Sequence, residues 1–82
     1  MPVTYHVVIP FDRNEEGDLV PGEANEAPNK DSARRRAQAL AETPPHVGAL
    51  AFSRTGDPDS GEFAEGEVIA EFGLVDREAL QG

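Results

Sequence analysis

Apolar and polar side chains alternate from the first residues of the chain, Val3-Thr4-Tyr5-His6-Val7-Val8-Ile9-Pro10-Phe11. A period of two in β-branched and aromatic residues predicts a strand. Its odd-numbered side (Val3, Tyr5, Val7, Ile9, Phe11) is expected to face the core. Pro2 and Pro10 cannot donate to a ladder, so they mark the strand's ends or an open side. Residues 12–28 are polar and rich in turn formers, and Leu19-Val20 is their one apolar couple. A short edge strand over Asp18–Val20, returning on the first through a turn at Arg13–Gly17, keeps this connection to an ordinary length. From Asp31 to Thr43 alanine and leucine dominate with no interior breaker, which predicts the one helix. Asn29 or Asp31 can cap it, and Pro44-Pro45 stops it. Ala33, Ala37, Leu40 and Ala41 fall on one face at helical spacing.

Two further strands follow, Val47–Ser53 and Glu67–Val75, joined by a polar stretch from Arg54 to Gly66. The first puts Leu50 and Phe52 on one face and Ala49 and Ala51 on the other. The second puts Val68, Ala70, Phe72 and Leu74 together. Phe63 has the wrong parity to join them and is assigned to the loop, folded back as its anchor. These elements predict an α+β fold: one helix on one face of a small, mainly antiparallel sheet of three to four strands, in a split β-α-β arrangement. The last strand, richest in apolar residues, is expected between the first strand and the Val47 strand. The large side chains should meet the helix. The opposite face, with Thr4, His6, Val8, Ala49, Ala51, Ser53, Ile69 and Glu71, should be open to solvent or to a second copy of the chain. Residues 1–75 form the expected single domain, and 76–82 a frayed tail.

Composition narrows the function classes. The 82 residues carry a net charge of −9, with no cysteine. So small a chain buries only roughly 60% of its extended surface, and its stability is marginal. The acidic balance argues against nucleic acid and anionic lipid as partners, and it suits a basic protein. Lack of cysteine removes disulfides, thiolate metal sites and thiol chemistry. The apolar start has no basic leader and is too short to span a bilayer, so it is taken as a strand of a cytoplasmic protein.

Few residues suggest chemistry. Asp12, Asn14, Glu16, Gly17, Leu19 and Glu23 match the spacing of a twelve-residue calcium loop, and in that respect the stretch resembles an EF-hand loop. A strand rather than a helix precedes it, and Pro21-Gly22 forbids the exiting helix that should deliver Glu23. A polar turn is therefore the preferred assignment, with Asp12, Asn14, Glu16 and Glu23 as a weak metal candidate. The Arg54–Gly66 stretch exceeds what a hairpin needs, and long loops are where binding concentrates. Its candidates are Arg54, Thr55, Asp57, Asp59, Glu62 and Phe63. Ser53-Arg54-Thr55-Gly56 offers an anion site, but phosphate loops lead into helices and a strand follows here. Arg34, Arg35 and Arg36 put a basic patch at the start of the helix, against its dipole. His6 and His46 have no base-orienter partner nearby in sequence and are assigned to the surface. No catalytic constellation can be assembled. The expectation is a noncatalytic, cofactor-free binding or accessory module whose partner is another protein or a second copy. A small-ligand or calcium-binding protein using the acidic loops is the alternative.

Overall fold

The computed structural model describes residues 3–57, 59–63 and 66–76, with Phe63 described by its backbone alone. One helix packs on a small antiparallel sheet, so the fold is α+β. The elements run β1 (Val3–Arg13), β2 (Leu19–Pro21), β3 (Asn25–Ala27), α1 (Lys30–Ala41), β4 (Gly48–Asp57), β5 (Glu62–Phe63) and β6 (Glu67–Gly73). The edge strand expected near Val20 is present as β2. β3 and β5 are short additions that propensity alone does not reveal.

β1 and β4 lie side by side at the centre, antiparallel from Val3↔Gly56 to Phe11↔Gly48. β2 and β3 share the outer side of β1, pairing with its residues 11–13 and 6–8. Pro10 sits at the break between them, where Gly22 N donates to its carbonyl (2.7 Å) and no ladder needs its missing N–H. β5 and β6 share the outer side of β4. The expected order is thus overturned: β6 lies outside β4 and not between β1 and β4. The reason is visible in burial. Gly48 through Ser53 are buried in succession, as a strand covered on both faces requires. β6 carries exposed Glu67 and Glu71 and has no fully buried residue.

The expected facing is also reversed. One core cluster joins Ala33 and Ala37 of the helix to Val8, Ala27, Ala49 and Ala51, with Leu40, Ala41, Ile69 and Phe72 packed around it. The helix therefore rests on the small-residue face. Methyl groups meet methyl groups, which lets α1 approach closely, and Leu40, Ile69 and Phe72 fill the flanks. The large odd-numbered residues Ile9 and Phe11 join Leu50 and Phe52 in a second cluster on the other side, with Val7, Leu19, Val68 and Val75 against it. Tyr5, in phase with Val7 and Ile9, belongs to that side, opposite Phe72. The phase of β6 changes at a bulge: Ala51 pairs Ala70 but Phe52 pairs Val68, leaving Ile69 as the extra residue. Val68 and Phe72 thus point to opposite sides, although simple alternation puts them together. Val8, Ala49 and Ala51, expected on an open face, are completely buried under the helix, so that face is not available to a second copy.

The helix begins where a capping residue stands. Asn29 has extended backbone, and its side-chain oxygen accepts from Ser32 N at 2.8 Å. Ala33 N closes the first turn on Asn29 O. At the other end Thr43 Oγ1 donates to Ala39 O (2.7 Å), and the chain turns through a cis Pro44-Pro45 bond into His46. Asn29→Ala should cost about 1 kcal/mol through loss of the cap, which urea unfolding of the two proteins would read directly.

Candidate functional site

α1 has 12 residues and β1 has 11. At roughly 1.5 Å per helical residue and about 3.3 Å per strand residue, the helix spans about 18 Å and the strand about 36 Å. The central strands therefore outrun the helix. Their far ends, residues 3–6 of β1 and 53–57 of β4, form an arm continued by β5. On the arm's helix-side face His6 Nδ1 lies 3.1 Å from Ser53 Oγ, and Thr4 Oγ1 lies 2.8 Å from Thr55 Oγ1. Both are directly opposed cross-strand pairs. Ser53 is buried and Thr4 and Thr55 are exposed, so the strip grades from core to solvent.

The stretch expected as a long loop is a β-hairpin. Gly56 pairs Phe63 and Asp57 pairs Glu62 across a tight turn. Gly61 N donates to Asp57 O at 2.8 Å, Asp59 N to Asp57 Oδ1 at 2.9 Å, and Glu62 N to Ser60 Oγ at 3.3 Å. Gly61 takes φ +76°, the conformation that favours glycine at such a turn. The five candidates of this stretch whose side chains are described do not converge. Thr55 shares the helix-side face with Ser53. Arg54 is opposite Tyr5 and points to the other face. Asp59 and Glu62 stand exposed at the tip. Ser53, Arg54 and Thr55 alternate in a strand, so they form no anion cradle. The side chain of Phe63, expected as the loop's anchor, lies outside the described residues, as do positions 77–82 of the expected tail.

The calcium-like stretch is also a hairpin turn. Asn14 N donates to Asp18 O and Gly17 N to Asn14 O, each at 3.0 Å, with Gly17 at φ +84°. Asn14 Oδ1 accepts from the backbone N of Glu16 (3.0 Å) and Asp18 (2.9 Å), an Asx turn that occupies the oxygen a cation would need. Asp12 points elsewhere, to His46. Glu16 and Glu23 are exposed. Among the described residues no group of three or more His, Asp or Glu side chains could hold a metal. Millimolar calcium should leave the melting temperature unchanged within error. A rise of several degrees in a thermal melt would reinstate the cation site.

The three arginines diverge. Arg34 Nη2 donates to Asp31 Oδ1 (3.0 Å), an exposed pair of small energetic weight. Arg36 Nη1 donates to Glu26 O at 2.9 Å and ties the helix to β3. Arg35 is exposed. The expected patch is thus one structural tie and two solvated cations.

Neither histidine is a free surface residue. His46 Nδ1 and Asp12 Oδ1 are 2.6 Å apart, with side chains 23% and 33% exposed. An ionised carboxylate only accepts, so the ring nitrogen donates. Thirty-four positions separate the two residues, and no local motif could have joined them. The junction is fixed by Val47 N donating to Phe11 O at 2.8 Å, which seats His46 beside the end of β1. Such a pair can orient an imidazole, but among the described residues no nucleophile completes a triad with it. Its role here is to clasp the helix exit to β1. A double-mutant cycle on Asp12→Ala and His46→Ala should give a coupling of about 1 kcal/mol in urea unfolding.

Comparison with known protein families, curated proteins and solved structures finds no match. Among the described residues no helix is long and apolar enough to cross a membrane.

Proposed function

We propose that the protein is a noncatalytic protein-binding module that acts through the acidic arm formed by β4 and β5. The observation that carries this reading is the arm itself. The two central strands continue past the helix, and β4 ends in a tight turn into β5 with exposed carboxylates at Asp59 and Glu62. Turns held out by a packed scaffold are suited to contact with another molecule. The net charge of −9 favours a basic protein as that molecule and disfavours nucleic acid. A catalytic reading has one Ser–His contact, Ser53 Oγ with His6 Nδ1 at 3.1 Å, but Ser53 is buried and among the described residues no carboxylate orients that imidazole. The test reverses the tip with Asp59→Lys and Glu62→Lys, and compares proteins crosslinked to the wild-type and reversed chains in the native host. The module reading expects a partner held by the wild type and lost by the reversed protein, whose amide spectrum stays folded. An identical partner set in both would overturn it.

A further inference from the structure

We propose that the outer edge of β6 receives an extended, basic segment of another protein as an added strand. The inference rests on the protein-binding reading and adds a second contact surface, with its own mode and chemistry, beyond the β4–β5 arm. Its basis is the position of β6. The strand holds Val68, Ile69, Ala70 and Phe72, a composition that sequence reasoning assigns to a sheet centre, yet it lies at the margin. β6 pairs only with β4 among the described residues. Its seven residues contain no proline. An edge strand of this length and apolarity presents a row of backbone donors and acceptors to any chain that can pair with it.

Charge selects the occupant. Glu67, opposite Ser53, lies on the helix side of the sheet, and Glu71, opposite Leu50, on the other side. Both are exposed. The bulge at Ile69 is what separates the two carboxylates onto different faces. An incoming strand therefore meets one carboxylate above the sheet and one below it. A second copy would bring two more carboxylates to this edge and a second charge of −9, and like charges across a strand pair are unfavourable. A segment with lysine or arginine opposite Glu67 gains from that carboxylate, and a second cation on the other face gains from the chain's charge of −9. Beyond the end of β6, Leu74 is 47% exposed and offers an apolar contact to the same segment.

The probe is a short synthetic peptide of threonine and valine with two lysines three positions apart, so that they project to opposite faces. Its controls are the same peptide with glutamates for the lysines, and one with proline at its centre. Binding is followed by amide shifts and hydrogen exchange on the labelled full chain. Strand addition is expected to slow exchange at alternate amides of Glu67–Gly73 with the lysine peptide, and with neither control. Glu67→Lys, at a side chain that supports no described contact, should weaken the lysine peptide by roughly tenfold and let the glutamate peptide bind. Glu67→Gln, which cannot disturb the fold by charge reversal, should give an intermediate loss. Absence of binding would overturn the proposal. So would equal binding of the proline peptide, or shifts confined to residues 57–62. The last result, or loss of host partners on reversal of Asp59 and Glu62 with no protection in β6, would leave the module reading intact and remove strand addition alone.

Discussion

Leu50→Ala is expected to lose about 3–4 kcal/mol of stability, among the largest effects of a single truncation in this chain. Leu50 is completely buried at the centre of β4, on the side away from the helix, against Ile9, Phe11 and Phe52. Deleting a buried leucine costs the transfer of its methyl and methylene groups and leaves a cavity, together roughly 2.7–5 kcal/mol. A domain of 82 residues has only about 4–12 kcal/mol in total at roughly 0.05–0.15 kcal/mol per residue. The urea midpoint should therefore fall by roughly 2–4 M, since a small domain changes by about 1–1.5 kcal/mol per molar urea. Leu40→Ala, half-buried on the helix side, should cost less. Equal costs would mean that the second cluster is not a true core.

Gly48→Ala is also expected to be costly, and the cause there is backbone contact. Gly48 pairs Gly73 where β4 begins and β6 ends. A Cβ at Gly48 would fall on the carbonyl of Leu74, and one at Gly73 would fall on the carbonyl of Val47. Gly73 also takes φ +69°, so alanine there adds strain of about 1–2 kcal/mol. These two glycines let the chains close to the Leu74 N to Val47 O bond of 3.0 Å. Backbone cannot swing aside as a side chain can, so Gly48→Ala should cost about 2–3 kcal/mol and speed exchange at the Leu74 amide. Gly17 provides the control. Nothing lies within 4 Å of a Cβ there, so only its positive φ is strained, at about 1 kcal/mol.

The elements themselves were legible in the pattern of the chain, while their arrangement was not. Alternation marks β1, alanine spacing marks the buried stripe of α1, and the couple Leu19-Val20 marks β2. Each of these signals is local. Strand order depends on which strand is covered on both faces, and the clue was a continuous run. Val47 through Phe52 is apolar or glycine throughout, while β6 is interrupted by glutamates. The large residues of β6 suggest a central place for it, whereas burial follows the uninterrupted small and large residues of β4. The facing is not legible because volume alone matches large side chains to a small helix face. Close approach of Ala33 and Ala37 to Ala49 and Ala51 fills it differently, and it frees Leu50 and Phe52 for a second cluster. The bulge at Ile69 has no marker in composition, so the phase of Phe72 against Val68 could not be read.

The site was the least legible part. Asp57-Pro58-Asp59-Ser60-Gly61 is rich in turn formers, but the pairing of Gly56 with Phe63, which makes the stretch a hairpin, has no local marker. The calcium-like spacing came from residues that a hairpin also selects, namely an asparagine accepting backbone amides and a glycine at positive φ. The contact of His46 with Asp12 needed the chain to return past the end of β1, a consequence of the β1–β4 register that no spacing encodes.

The central claim is that β4 separates β1 from β6 and that α1 lies on the alanine face. Nuclear Overhauser contacts in the labelled protein test it most directly. The expected pattern is cross-strand backbone contacts from Val8 to Ala51 and from Ala51 to Ala70, with methyl contacts from Ala37 to the cluster of Ala49 and Ala51. Backbone contacts linking β1 directly to β6, or methyl contacts from Ala37 to Leu50, would contradict the strand order and remove the open β6 edge with it.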